Sequence, residues 1–160
     1  MFVSITTGRA RPTPPAPAES TQDLAAKLNP QQKQKFDDAQ QAFKERRYAD
    51  ALTDFKALLT ELPGDALLSK FACESALNVG DRGFAATVVR PVADADPSDW
   101  QAAALLTRAC AESGDTSCRD RSMARMMDLH RQGVTPPRDA GLHGGTHHGR
   151  RERARNQGIA

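Results

Sequence analysis

Apolar side chains recur with a helical period from Pro30 to about Gly133, and short breaks of Gly, Asp and Pro separate the runs. No segment alternates apolar and polar residues in the way that a half-buried β-strand requires. The pattern therefore predicts an all-α protein. It places six helices at about residues 30–46, 48–62, 65–79, 82–95, 98–113 and 116–131.

The two ends of the chain lack this period. Residues 1–28 are rich in Pro and Thr, and residues 134–160 are rich in Gly, His and Arg. Segments with so few apolar side chains cannot bury enough surface to offset the entropy that ordering removes. We therefore expect a disordered Pro-rich arm at residues 1–28, a helical domain at residues 29–133 and a disordered tail at residues 134–160.

The breaks between the helices recur at a fixed spacing, which we call the repeat interval. It separates Pro63 from Pro97, and it also separates Gly80 from Gly114. Glycines at these positions are typical helix ends, which fits the same phase. We call the helices predicted at 30–46, 65–79 and 98–113 the first helices, and those at 48–62, 82–95 and 116–131 the second helices. Small and apolar residues recur at the repeat interval in the second helices (Tyr48, Ala51, Phe55 and Leu58, then Ala85, Val89 and Val92) and in the first helices (Ala39, then Cys73).

With these residues and this interval, which matches a repeat of about 34 residues, the chain resembles the tetratricopeptide repeat (TPR) family in three units over residues 30–131. The resemblance implies antiparallel helix pairs stacked in a short right-handed solenoid, and a protein-binding role. Two residues depart from it. Pro91 lies inside a predicted helix, which it should kink, and Arg119 stands where the family has alanine. A plain helical bundle with accidental spacing stays open as the alternative.

The resemblance also implies a peptide-binding groove on the inner faces of the first helices. This face is basic and partly apolar, so a partner peptide or helix that combines apolar and acidic residues would suit it. For any single residue, an ordinary solvated side chain is the competing interpretation. By family position the groove residues are Lys33, Phe36, Gln40, Lys44, Leu67, Lys70, Glu74, Asn78, Gln101, Ala104 and Arg108.

Cys110 and Cys118 flank the turn at Gly114-Asp115, and a helical hairpin could bring their Cα atoms within disulfide range. Three interpretations stay open. The two cysteines are buried small residues, a structural disulfide of an exported protein, or a redox or metal-binding pair. Cys73 stands at a helix-packing position and is predicted to belong to the core.

The last predicted helix carries Met123, Met126 and Met127, a spacing that places at least two methionines on one face. The tail beyond it offers almost no apolar residue, so it predicts no further helix that would cover the last unit. We therefore expect an exposed methionine edge that mediates homodimerisation or docks a partner helix. Ordinary core is the alternative.

Net charge is +2, but the segment after Gly133 has five arginines and two acidic residues, which leaves −1 on the rest of the chain. That balance disfavours nucleic acid as the main partner. The tail also holds His143, His147, His148 and the segment RRERAR at residues 150–155. Without a rigid scaffold, these histidines are expected to capture metal only adventitiously, and the arginines to be solvated.

No Ser-His-Asp set, paired carboxylates or phosphate loop emerges, so we expect a non-enzymatic protein without cofactor. The leading hypothesis is a protein-interaction scaffold. The alternatives are a structural subunit that self-associates through its last unit and a thiol redox protein. The sequence contains no membrane span, and its start lacks a signal peptide, which predicts a cytoplasmic protein. An exported or periplasmic protein is the alternative if the true start lies upstream.

Overall fold

Seven α-helices make up the described part, residues 20–134, of the protein's computed structural model, and no strand is found within that range. The all-α prediction is confirmed. Each of the six predicted helices begins and ends within two residues of its predicted position. The helices are α1 (Thr21–Lys27), α2 (Pro30–Lys44), α3 (Tyr48–Glu61), α4 (Ala66–Val79), α5 (Arg82–Ala95), α6 (Trp100–Ser113) and α7 (Thr116–Arg131).

Helix α1 corrects the prediction that residues 1–28 form a disordered arm. The hydroxyl of Ser20 accepts a hydrogen bond from the N–H of Asp23, and the Asp23 carboxylate accepts one from the N–H of Ser20. Leu24 is only 1% exposed and packs into the core, which holds this short helix on the domain. The helical domain therefore includes residues before position 29. Residues 1–19 and 135–160 lie outside the described part.

The helix starts are fixed by local groups that recur along the chain. Asp65, Asp81, Asp99 and Asp115 are the N-caps of α4 to α7. Each carboxylate accepts from the N–H three residues further on, at 2.8–3.2 Å. One repeat interval separates Asp65 from Asp99, and one separates Asp81 from Asp115. The interval read from the sequence thus reappears in the bonds that start the helices.

Each helix from α2 onward packs against the next one, and α4 also contacts α6. Connections of two to four residues make neighbouring helices antiparallel. Four aromatic rings, those of Phe36, Phe43, Phe55 and Phe71, pack between α2, α3 and α4 with centroids 5.3–6.3 Å apart. None of the helices within residues 20–134 is long and apolar enough to cross a membrane.

Candidate functional site

The face predicted as the first-helix groove is only partly accessible. Phe36, Leu67 and Lys70 are buried, which corrects their prediction as ligand-facing residues. Phe36 packs edge-on against Phe55 and Phe71, so its ring belongs to the core. The remaining residues are exposed or half-buried: Lys33, Gln40, Lys44, Glu74, Asn78, Gln101, Ala104 and Arg108.

Lys70 forms a buried ion pair that joins α4 to α6. Its Nζ lies 2.9 Å from a carboxylate oxygen of Asp99, and the two side chains are only 4% and 14% exposed. The other carboxylate oxygen of Asp99 accepts from the N–H of Ala102. One carboxylate therefore caps α6 and pairs with α4. The ammonium of Lys70 is engaged inside the fold rather than presented to a ligand.

Glu74 is a half-buried carboxyl on the first-helix face. Burial raises the pKa of Glu74 to about 7, and the nearby guanidinium of Arg108 offsets part of that rise. Arg108 itself pairs with Glu112 at 2.8 Å. Glu74 is therefore divided between its acid and carboxylate forms near neutral pH. A cationic group that reached this face would favour the carboxylate and lower the pKa of Glu74.

A concavity of about 860 Å³ lies between α3 and α5. We call it the α3/α5 groove. On α5 its wall is an apolar stripe of Phe84, Val88 and Pro91, and Leu59 of α3 lines it as well. Helix α5 runs unbroken through Pro91, whose side chain is exposed. The groove is therefore an open, mainly apolar surface between α3 and α5.

Sequence reasoning missed the α3/α5 groove, although a signal for it exists. Helix α5 carries two neighbouring apolar stripes at helical spacing. One stripe, with Ala85 and Val89, is completely buried in the core. The other, with Phe84 and Val88, lies one residue earlier and is only half-buried. An apolar arc wider than the core-facing stripe indicates a second contact surface on the same helix.

Charged groups around the α3/α5 groove are paired within the protein. Lys56 pairs with Asp81 at 3.1 Å, and its ammonium lies 4.1 Å from the ring centroid of Phe84. Asp96 accepts two hydrogen bonds from Ser98, at 2.6 and 2.9 Å. The buried ion pair between α4 and α6 also borders the groove. Its lining therefore suits an apolar segment better than a charged one.

A disulfide joins Cys110 of α6 to Cys118 of α7, with the two Cα atoms 5.7 Å apart. The loop that it closes contains the turn between these helices. Cys73 of α4 has a free, buried thiol. Burial raises the pKa of the Cys73 thiol to about 12, so it has almost no thiolate at neutral pH.

Met123 and Met127 form an exposed apolar edge on α7, at 47% and 54% exposure. Met126 is only half-buried and turns towards α6, so it belongs less to this edge than predicted. The residues one repeat interval earlier, Val89 and Ala93, are completely buried. No helix follows α7 within residues 20–134, and these two positions are exposed on α7 although their equivalents on α5 are buried. We call Met123 and Met127 the methionine edge.

Within residues 20–134, no three His, Cys, Asp or Glu side chains are grouped as metal ligands. His143, His147, His148 and the arginines of residues 150–155 lie outside that range. Comparisons of the chain with protein-family models, curated proteins and solved structures found no match. Fold and geometry alone define the class of this chain, which is an all-α protein of successive antiparallel helices.

Proposed function

We propose that the chain is a non-enzymatic protein-interaction scaffold of TPR-like units, and that its α3/α5 groove holds an apolar segment of a partner protein. The observation that carries this proposal is the groove itself. It is open and mainly apolar, and its bordering cations are already paired. Apolar surface of this kind is unfavourable in water, and covering it with a partner would stabilise the complex.

The TPR-like arrangement is supported by side-chain bonds that recur at the repeat interval. Lys56 on α3 pairs with Asp81, the N-cap of α5. Arg90 on α5 pairs in the same way with Asp115, the N-cap of α7. Successive second helices are thus joined by equivalent contacts. Equivalent contacts between neighbouring units are what a repeat array requires.

The lining of the groove favours an amphipathic helix as the bound segment. Phe84, Val88 and Pro91 follow one another at intervals of four and three residues, so they form a straight apolar row. A partner helix with apolar residues at the same spacing would pack its own row against this one. Because the groove has few unpaired charges, we expect the charged residues of that helix to lie on its solvent side.

Capture of partners from native lysate, followed by mass spectrometry, tests the proposal when it includes two matched variants. Val88→Glu places a charge in the groove, whereas Val79→Glu places the same charge at a valine that is 44% exposed outside it. We expect one protein to be captured by the wild type and by Val79→Glu and lost with Val88→Glu. Far-UV circular dichroism must show equal helix content. Equal capture by all three forms would contradict the proposal.

The methionine edge favours a second candidate function, self-association of the chain. Met123 and Met127 are exposed, although the residues one repeat interval earlier are buried. A second copy of the chain could cover these two side chains. Sedimentation of the wild type should show a dimer, and Met123→Glu with Met127→Glu should give a monomer of unchanged helix content. A monomeric wild type would eliminate this candidate.

A further inference from the structure

The α3/α5 groove has a counterpart one repeat interval further along the chain, between α5 and α7. Arg90 stands at the position of Lys56, and like Lys56 it pairs with the N-cap of the next second helix, Asp115. Cys118 stands at the position of Phe84, and its Sγ lies 3.6 Å from an Nη atom of Arg90. The two concavities are therefore built on the same framework.

The lining of this counterpart is cationic where the groove is apolar or neutral. Arg121 stands at the position of Thr87. Arg125 stands at the position of Pro91. These two arginine side chains line two smaller pockets, of about 280 and 450 Å³. We call the smaller one the arginine pocket; its lining is Arg90, Asp94, Leu106, Cys118, Arg121, Ser122 and Arg125.

Positive charge in the arginine pocket is only partly compensated. Arg90 and Arg125 each have a carboxylate at 3.9 Å, from Asp115 and Asp94 respectively, which is the outer limit of an ion pair. Arg121 makes no ion pair or hydrogen bond with any residue of the described part. Three guanidinium groups therefore border a pocket whose lining contains one carboxylate, that of Asp94.

Arg125 is held in place by the backbone of α5. Its Nη1 donates to the carbonyl of Ala93. A helix carbonyl at that position would normally accept from the residue four further on, but this residue is Pro97, which has no N–H. Arg125 thus caps the end of α5 while it borders the pocket. A guanidinium fixed in this way loses less freedom when it binds a ligand.

The floor of the arginine pocket is buried. Leu106, Cys118 and Ser122 are each less than a tenth exposed. A floor of low polarity strengthens the attraction between the guanidinium groups and an anion above it. The hydroxyl of Ser122 adds a neutral donor to the lining. The pocket is several times larger than a water molecule, which occupies about 30 Å³, so an anionic group fits.

We propose that the arginine pocket is an oxyanion-binding site, which takes a carboxylate or phosphate group. Planar guanidinium groups donate paired N–H bonds that match both anions. This proposal goes beyond the function proposed above and does not depend on it, because the α3/α5 groove and the arginine pocket share no lining residue.

NMR titration of the ¹⁵N-labelled full chain with sodium phosphate, and separately with sodium acetate, tests the site at constant ionic strength. We expect saturable shifts at Arg121, Ser122 and Arg125. Arg121→Gln removes a charge without breaking a described contact, and it should weaken binding about tenfold. Arg119→Gln is the matched control, since Arg119 lies on the same helix, pairs with Asp120 and is not part of the pocket.

Saturation by phosphate alone would assign a phosphate ligand, saturation by acetate alone a carboxylate ligand, and saturation by both a site that takes either oxyanion; each result supports the site. Arg121→Lys keeps the charge but loses the paired donors, so its affinity should lie between those of the wild type and Arg121→Gln. Failure of both anions to saturate would overturn the proposal, and so would equal weakening by Arg119→Gln. The capture experiment with Val88→Glu has no bearing on these outcomes.

Discussion

Arg46 and Gly80, one repeat interval apart, hold the same left-handed backbone conformation, with φ of 63° and 85°. Each lies just after a first helix and donates its N–H to a carbonyl three residues back, that of Phe43 or Leu77. A residue with a Cβ is strained there by about 1–2 kcal/mol, and glycine is not. We predict that Arg46→Gly raises the free energy of unfolding by about 1 kcal/mol, measured by urea denaturation.

Gly114→Ala is the opposite change at the next equivalent position. No atom lies within 4 Å of a Cβ placed on Gly114, so only the backbone strain at φ 82° opposes the alanine. The free energy of unfolding should fall by about 1 kcal/mol. If Arg46→Gly instead destabilises the protein, the backbone at Arg46 is not strained, and the prediction made from its left-handed conformation is wrong.

Lys70→Met is predicted to lower the free energy of unfolding by about 3 kcal/mol, because it leaves the carboxylate of Asp99 buried without its cation. Thermal or urea unfolding measures the loss. Lys33→Met is the control, since Lys33 is exposed and its replacement should change stability by less than about 0.5 kcal/mol. Equal stability of both variants would contradict the stabilising role assigned to the ion pair between Lys70 and Asp99.

The raised pKa of Glu74 predicts a pH dependence of stability. Its ordinary value is 4.5 and its folded value about 7, so the folded state holds the proton more tightly than the unfolded state. The stability that this proton contributes is complete below pH 4.5 and is lost as pH rises through about 7.

Glu74→Gln lacks this loss. The free energy of unfolding of the variant minus that of the wild type should therefore be about 1 kcal/mol larger at pH 8 than at pH 4. This difference is smaller than the pKa shift alone would give, because water screens the exposed part of the Glu74 carboxyl. Urea denaturation of both proteins across the range gives the difference. A difference that does not change between these pH values would refute the burial effect.

Reduction of the disulfide between Cys110 and Cys118 is predicted to lower the free energy of unfolding by about 2–3 kcal/mol. This loss is modest because the disulfide closes a short loop, which restricts the unfolded chain less than a long loop does. Unfolding with and without a thiol reductant measures the cost. Alkylation in denaturant without reductant should then label Cys73 alone, and in the native state Cys73 should react slowly. Three labelled thiols in unreduced, denatured protein would show that the disulfide does not form.

Helix positions were predictable because the signals that set them are local. The cap of a helix involves residues three or four apart, so Asp81 and Gly80 reveal the junction of α4 and α5 in the sequence itself. Helix α1 carries the same kind of signal, a capping pair at Ser20 and Asp23 followed by Leu24. It was missed because about two turns of helix beside a Pro-rich segment are too short to distinguish from chance.

Which face a helix buries was harder to predict, because that depends on residues far away in sequence. The sequence around Lys70 indicates a surface cation, because its partner Asp99 lies 29 residues later in the chain. Phe36 was predicted to line the groove because its contacts with the rings of Phe55 and Phe71 are not evident from the sequence. The lining of the α3/α5 groove comes from α3, α4 and α5, so the wide apolar arc of α5 marks only one of its walls in the sequence.

The ion pairs that join α3 to the start of α5 and α5 to the start of α7 also bear on how such a chain changes length in evolution. Lys56 and Asp81 are separated by the same length of chain as Arg90 and Asp115, and that length is shorter than one repeat interval. A duplication of one repeat interval that begins anywhere from residue 48 to residue 90 copies one of these two cations and one of these two N-cap aspartates. Joined end to end, the copies restore the same ion pair at every new junction without a compensating substitution. Unequal recombination of this kind would add or remove one repeat interval and keep the ion pairs between the neighbouring helices.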